Sequence, residues 1–294
     1  MLKKRTDLAQ EAREIWQESA GETSALQGVE AKEEQQDGCG VTRVRILSEE
    51  GARALEKPVG NYITVSFPAE DGGDLNSRAA LLGREIRQLL DLRPGQSVLV
   101  VGLGNEAITP DAVGPRTAKG ILVTRHLVDA LPDTFGQFRP VSVLSPGVLG
   151  TTGLESGEII RGVAERSAPD KVLVVDALAS CRLERLCSTV QLADTGIVPG
   201  SGVGNSRAAI NRQTLGVDVL AVGVPTVVDA ATLVADMLGR QEEKEALGGW
   251  GKGVIVTPRD IDKFVGDISK LLSLGINMAL HDNLSPDDIN GFLS

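Results

Sequence analysis

Histidine and cysteine, the residues that most often bind metals or act in catalysis as nucleophiles and bases, are scarce in this sequence. The 294-residue chain has two histidines, His126 and His281, and three cysteines, Cys39, Cys181 and Cys187. The cysteines are odd in number and lack zinc-ligand spacing, so we interpret them as reduced thiols of a cytoplasmic protein. This scarcity limits metal sites and histidine-based catalysis, and we predict neither a bound metal nor another cofactor.

Long apolar runs and an excess of positive charge are also absent. No run approaches the length of a membrane span, and the N-terminus lacks the apolar core of a signal peptide. The formal net charge is −10 and the sequence pI is near 4.9, which disfavours binding to nucleic acid phosphates or anionic membranes. We therefore predict no direct nucleic acid partner, no membrane partner and a cytoplasmic location.

Glycine, in contrast, is abundant at 34 residues, while aromatic residues make up 3% of the chain. This composition favours many tight strand-to-helix turns around an aliphatic core. Apolar runs typical of strands alternate with segments of helical periodicity from residue 38 to the end. We predict one catalytic α/β domain over residues 38–294, with three layers: a mostly parallel sheet and helices on both of its faces.

Residues 1–37 differ from the rest, with nine acidic residues against five basic ones. Residues 6–16 predict a helix capped by Thr6, and residues 19–38 have the composition of a solvated linker. We interpret residues 1–37 as a regulatory or pro-like segment and linker; a frayed terminus is the alternative.

The central stretch of the chain is residues 97–115, S-V-L-V-V-G-L-G-N-E-A-I-T-P-D-A-V-G-P. Its apolar run predicts a strand buried on both faces, followed by a glycine turn and a polar loop. Asp111 then follows at the carboxyl end of the strand, where open α/β sheets place their ligands. A helix cap is the alternative role for this aspartate.

Asp176 repeats this arrangement, because it directly follows the apolar run K-V-L-V-V. If the two strands are neighbours, both carboxylates face one crevice, and one pKa rises so that the pair holds an acid and a base. Such a pair can activate water and protonate a leaving amine, which is amide hydrolysis. Asn105 and Thr109 are supporting candidates that could orient the pair or the scissile carbonyl. Two separate helix caps remain the alternative.

Several long motifs, in one order, resemble the germination protease of spore-forming bacteria. They are R-T-D-L-A, G-N-E-A-I-T-P-D-A-V-G-P, S-P-G-V-L-G-T-T-G-L-E-S-G-E, L-V-V-D-A-L-A, D-T-G-I-V-P-G-S-G-V-G-N, A-V-G-V-P-T-V-V-D-A and I-N-M-A-L-H. The resemblance implies an atypical aspartic endopeptidase that degrades small acid-soluble spore proteins during germination. The family's catalytic aspartates lie in the T-P-D and V-D-A motifs, which correspond to Asp111 and Asp176.

The same resemblance implies a fold similar to the hydrogenase-maturation proteases, with a phosphorylase-hydrolase-like sheet. It also implies a zymogen of the forespore that cleaves its own N-terminus. Only four residues precede R-T-D-L-A here, so we expect a very short leader or none to be removed. Asp7-Leu8-Ala9-Gln10-Glu11 resembles the family's substrate sites, and we expect this segment to regulate the enzyme by occupying its own active site as an inhibitor or by being cut there. We further expect a homo-oligomer.

Two enzyme classes compete with this interpretation. A metal-dependent maturation-type protease uses a histidine as a third metal contact, and neither acidic motif has a histidine immediately after it. His126 lies within the predicted helix over residues 117–130, where a partly buried residue with satisfied partners is expected. A peptidyl-tRNA-hydrolase-like enzyme is the less favoured alternative, since V-G-L-G-N and T-R-H have unsuitable spacing and the chain is acidic.

Two further classes have weaker support. A nucleotide-binding module would use Gly102 and Gly104, but the third glycine of the dinucleotide motif is missing. A cysteine peptidase would use Cys181 or Cys187, which lie on a predicted amphipathic segment where buried structural thiols are the commoner case.

Overall fold

The computed structural model describes residues 6–20, 26–68, 74–204, 207–238 and 254–293, and the strands among them form one open sheet. Its strand order is β1-β2-β3-β7-β8-β6-β4-β5, with β9 paired to β8. The strands are β1 Val29–Gln36, β2 Cys39–Ile46, β3 Gly60–Ser66, β4 Val98–Gly102, β5 Val141–Leu144, β6 Lys171–Ser180, β7 Thr189–Ala193, β8 Asp218–Asp229 and β9 Ile255–Val256.

Helices cover both faces of this sheet. They are α1 Ala9–Ala20, α2 Glu49–Leu55, α3 Leu75–Leu90, α4 Val113–Lys119, α5 Arg125–Ala130, α6 Pro132–Phe135, α7 Leu149–Thr152, α8 Ser156–Ser167, α9 Arg212–Leu215, α10 Ala230–Leu238, α11 Ile261–Leu280 and α12 Pro286–Leu293. Val98 and Val100 of β4 join a core with α3 and α11, whereas Leu99 and Val101 join a second core with Ile160 of α8. This alternation explains the continuous apolar run, because both faces of β4 are covered.

The sheet is mixed, so the α/β prediction is confirmed and the prediction of a mostly parallel sheet is wrong. Only the pairs β5–β4, β4–β6 and β6–β8 are parallel among the described strands. The pairs β1–β2, β2–β3, β3–β7, β7–β8 and β8–β9 are antiparallel. A period-two pattern shows that a segment is a strand but not which way its partner runs. The predicted likeness to the hydrogenase-maturation proteases stays a prediction.

The predicted linker over residues 19–38 is wrong for Val29–Gln36, which form β1 at the edge of the sheet. Asp37 and Gly38 both have positive φ and form the two-residue turn of a hairpin, a turn that this pair of residues favours. Charged side chains on an edge strand block pairing with other chains, and they also make the strand look like a linker. Residues 21–25 of that prediction lie outside the described part of the chain.

Two predicted helices also differ from the structure. The helix predicted over residues 117–130 is two helices, α4 and α5, separated by residues 120–124. The sequence also predicts a helix over residues 225–238, with Pro225 at its start, but the helix begins only at Ala230, because β8 continues through Pro225 to Asp229. Tertiary pairing with β6 overrides the tendency of this proline to start a helix. The predicted N-terminal helix is present as α1, which begins three residues after Thr6.

Candidate active site

Asp111 and Asp176 meet because β4 and β6 are parallel neighbours. The last residue of β4, Gly102, pairs with Val175, and Asp176 is the next residue of β6. After β4 the chain crosses a loop and reaches Asp111 at the end of a short 3-10 helix, Thr109–Asp111. The carboxyl ends of parallel strands lie at one edge of the sheet, which brings these two side chains into one crevice.

Glycines allow the loop to close tightly around Asp111. Gly104 has φ +115°, and a Cβ there would lie 2.0 Å from the carbonyl oxygen of Asp111. A Cβ on Gly102 would lie 2.3 Å from the carbonyl oxygen of Gly114, so α4 packs directly on the strand backbone. Larger residues at either position would push Asp111 away from β6.

The pKa of Asp176 is raised well above its usual range, first by burial and then by the charge of Asp111. Its side chain belongs to a residue that is 5% exposed, and one carboxylate oxygen accepts a hydrogen bond from the Ala177 N–H at 2.9 Å. Burial also raises the pKa of Asp111, whereas the Asn105 N–H, 2.7 Å from Asp111 Oδ2, lowers it. The environment of Asp176 therefore favours its protonated form, whereas the Asn105 N–H favours the charged form of Asp111.

A cavity of about 620 Å³ opens at the pair. Most of its other lining side chains are aliphatic, among them Leu103, Ile108, Leu149, Val198 and Val227. Arg207 and Glu155 line it as an ion pair, with 2.9 Å between Nη1 and Oε1. An apolar cavity with a few convergent polar groups is the usual form of a binding site, and this one can hold several residues of a peptide.

The two supporting candidates have different positions. Asn105 lines the cavity and contacts Asp111 through its backbone N–H, while its side-chain oxygen accepts from the Ala107 N–H at 3.0 Å. Thr109 donates its hydroxyl to Asp262 of α11 at 2.8 Å and is not among the lining residues. The structure therefore brings Asn105 to the pair through its main chain, and it directs the Thr109 side chain elsewhere.

Asp7, from the segment that resembles the family's substrate sites, lines the same cavity. Its carboxylate accepts from the Ala179 N–H at 2.9 Å and from the Ser201 hydroxyl at 2.5 Å. Asp7 also contributes to the raised pKa of Asp176, after burial and Asp111. The N-terminal segment thus reaches the mouth of the active-site cavity.

Thr226 is a second residue that pattern analysis did not find. It is the extra residue of a β-bulge in β8, between Pro225, which pairs with Leu178, and Val227, which pairs with Ala179. Thr226 is fully buried and lines the cavity. Bulges often lie next to active sites, but the alternation of apolar residues along a strand gives no sign of one.

Neither histidine lines the cavity. His126 is exposed near the start of α5, so the expectation of a partly buried residue is wrong. His281 is buried after α11, and burial lowers its pKa to about 4. No group of three or more His, Cys, Asp or Glu side chains with metal-site geometry occurs among the described residues.

The cysteines also lie outside the lining of the cavity. Cys181 is buried, Cys187 is half-buried, and both follow β6 in a loop rather than in an amphipathic element. Burial raises the pKa of Cys187 to about 11, which opposes the thiolate form that a nucleophile needs.

Within the described ranges, no helix is long and apolar enough to span a membrane.

Comparisons with known proteins agree on one family. A sequence model of the family described as "Germination protease" matches residues 9–240 and 237–293. A germination protease of Caldanaerobacter subterraneus subsp. tengcongensis is 44% identical, and the match covers 98% of each chain. One from Clostridium tetani is 43% identical over 99% of each chain, and one from Bacillus cereus is 35% identical over 98% of this chain and 96% of its own.

Proposed function

The chain belongs to the germination protease family, and from that premise we propose that it is the endopeptidase that begins degradation of small acid-soluble spore proteins during germination. We further propose that Asp111 and Asp176 activate the attacking water. The observation that carries this mechanism is a carboxylate pair in one cavity, with no ion-pair partner among the described residues and with the pKa of Asp176 raised by burial and by Asp111.

The two aspartates take different roles because their environments differ. Asp176 is the more deeply buried and holds the proton, so it serves as the general acid. Asp111 receives the Asn105 N–H, which stabilises its charged form, so it serves as the general base. A pair of this kind supplies an acid and a base at one pH, which two solvated carboxylates cannot do.

In the hydrolytic step, Asp111 removes a proton from water while the water oxygen bonds to the scissile carbonyl carbon. The proton of Asp176 passes to the leaving nitrogen as the carbon–nitrogen bond breaks. The water hydroxyl remains on the new carboxyl group, and the proton taken up by Asp111 restores the shared proton of the pair. No oxidant, reductant or other co-reactant enters this balance.

The N-terminal segment is proposed to regulate the enzyme as part of a zymogen. Asp7 lines the active-site cavity, and Leu8 and Ala9 are fully buried beside it. Because α1 is anchored in the fold, removing the whole helix would disturb packing as well as regulation. Substitution of Asp7 is therefore the sharper test, and cleavage of the segment is checked by following the mass of the intact chain under acid and low-water conditions.

The function is tested by incubating the purified chain with a small acid-soluble spore protein, with and without a chelator, and identifying the fragments by mass. We expect discrete internal cleavages at an unchanged rate after chelation. Loss of cleavage on chelation and recovery with one divalent ion would instead support a metal-dependent maturation-type protease. Intact substrate under all conditions, with a folded enzyme, would contradict the proposed substrate class.

The predicted homo-oligomer and the predicted cytoplasmic location in the forespore and spore core belong to the same proposal. Sedimentation velocity on the purified chain measures the subunit number directly, and a monomer at every concentration would contradict the oligomer. Fluorescent tagging in sporulating cells tests the location.

A further inference from the structure

One edge of β6 is open where the strand passes the catalytic pair. On the side of β4, the last contact is the Leu103 N–H, which donates to the Val175 carbonyl at 2.8 Å. On the opposite side, β8 stays paired with β6 as far as Ser180. Residues 176–179 of β6 therefore have β8 as a sheet partner on one side, and they line the active-site cavity.

The peptide groups that point to this open edge are those of Ala177 and Ala179. Successive peptide groups of a strand point to opposite sides, and the Val175 carbonyl points towards β4. Ala177 and Ala179 are two and four residues further on, so their N–H and C=O groups share that direction. The Ala177 N–H donates to the Asp176 carboxylate at 2.9 Å, so the main-chain group that Ala177 offers to a peptide is its carbonyl. Both residues line the cavity, immediately beyond Asp176.

The chain's own N-terminus already uses half of this edge. The Asp7 N–H donates to the Ala179 carbonyl at 3.0 Å, and the Ala179 N–H donates to Asp7 Oδ2 at 2.9 Å. Two residues that exchange hydrogen bonds in this way resemble a pair within an antiparallel ladder, except that a side-chain oxygen replaces the second carbonyl. The edge is thus capable of binding an extended main chain.

We infer that the edge of β6 from Ala177 to Ala179 binds the main chain of the substrate as an added strand, and that residues 6–8 occupy part of that site. This inference rests on the proposed function, since it assigns the substrate of the same cavity. A peptide on this edge lies alongside Asp176, which brings one of its peptide bonds to the catalytic pair.

The substrate class that fits is an extended, unstructured polypeptide. Strand addition reads backbone N–H and C=O groups, and alternate side chains of the added strand enter pockets. The wall beside this edge is largely aliphatic, with Leu103, Leu149 and Val198, so small or apolar side chains fit facing it. A folded protein uses most of its main-chain groups within its own secondary structure, so an unstructured chain offers them more readily.

The first test is an ester scan of a substrate peptide that contains a mapped cleavage site. Each amide other than the scissile one is replaced in turn by an ester, which removes one N–H with little change in shape. We expect kcat/KM to fall about tenfold at alternate positions that face β6 and less than twofold between them. Equal effects at all positions, or none, would overturn strand addition. Absence of hydrolysis for the parent peptide and the spore protein would instead defeat the proposed function.

The second test weakens the binding of residues 6–8 to this edge. Asp7→Ala frees the Ala179 N–H, so we expect KM for the peptide to fall several-fold, with kcat less affected. Asp129→Ala is the matched control, because Asp129 is exposed on α5 and lines no part of the cavity. Circular dichroism and thermal unfolding verify that both variants fold. An Asp7→Ala protein that is folded and has the KM of the control would contradict occupation of this site by the N-terminus.

Discussion

Glu11 contacts the end of β6, and Asp176 belongs to β6. Both carboxylates are buried, but the charged side chains next to them are opposite in sign. Glu11 of α1 is fully buried, yet its oxygens accept from the Ser180 hydroxyl at 2.5 Å and the Cys181 N–H at 2.8 Å, and Arg185 lies 3.2 Å away. Asp176 is almost as buried, but it accepts one main-chain N–H and faces a second carboxylate.

This difference separates an anchor from a reactive site. Glu11, which contacts an arginine and accepts hydrogen bonds from Ser180 and Cys181, fixes α1 to the end of β6. A buried carboxylate beside another carboxylate must retain a proton or bear a large desolvation cost, and it can therefore exchange protons with a substrate. Burial alone does not distinguish these two carboxylates; the charge of the neighbouring side chain does.

The largest effect is expected at the proposed catalytic pair, Asp111 and Asp176. Asp111→Asn and Asp176→Asn should each reduce kcat by about 10²- to 10⁴-fold, because each removes a proton acceptor or donor while keeping the side-chain shape. Steady-state cleavage of a peptide measures this, with Asp129→Asn as an exposed control. Activity near that of the control in either variant would contradict its catalytic role.

Substitution of Glu11, which anchors α1, should lower the stability of the fold rather than act on the chemical step. Glu11→Ala removes one of the two carboxylates that contact Arg185, which keeps Glu14, and it removes one acceptor of the Ser180 hydroxyl and one of the Cys181 N–H. Loss of these buried contacts costs about 1–3 kcal/mol of unfolding free energy. Denaturant unfolding measures it, and Glu30→Ala on the exposed edge strand should change stability little. A loss for Glu11→Ala no larger than for Glu30→Ala would show that the anchor is weak.

The pH dependence of stability tests the environment of Asp176 separately from activity. The folded-state pKa of Asp176 is raised, so its contribution to stability is fully present below the ordinary value of 3.8 and is lost as pH rises towards the folded pKa. Asp176→Asn should therefore be more stable than the wild type near neutral pH, with the difference shrinking as pH falls to about 4. Thermal unfolding across this window measures the difference. A difference that is independent of pH would mean that Asp176 is ionised without penalty.

The smallest effect is expected at Thr109, which neighbours the pair in sequence but donates to Asp262. Thr109→Val should cost about 1 kcal/mol of stability or less and change kcat by less than about twofold. Steady-state kinetics and thermal unfolding of the same preparation measure both quantities. A large fall in kcat without a change in stability would place the hydroxyl in the reaction after all.

The buried parallel strands were predictable from sequence because they are covered on both faces and their residues are uniformly aliphatic. The apolar runs over residues 98–101 and 171–175, from which strands are predicted, fall within β4 and β6. The edge strand β1 was missed because its residues are charged, and the extension of β8 was missed because a proline suggested a helix. In both cases pairing with a neighbouring strand decided the structure, and local composition does not encode the neighbour.

By itself, the sequence determined that Asp111 and Asp176 each follow a strand, and the resemblance of its motifs indicated the family that the comparisons confirm. Only the tertiary structure decided that these strands are neighbours and that Asp7 lines the same cavity. It also decided that Glu11 meets a cation, whereas Asp176 meets an anion. Strand order and long-range charge contacts arise from how the whole chain packs, so they become visible only once the fold is assembled.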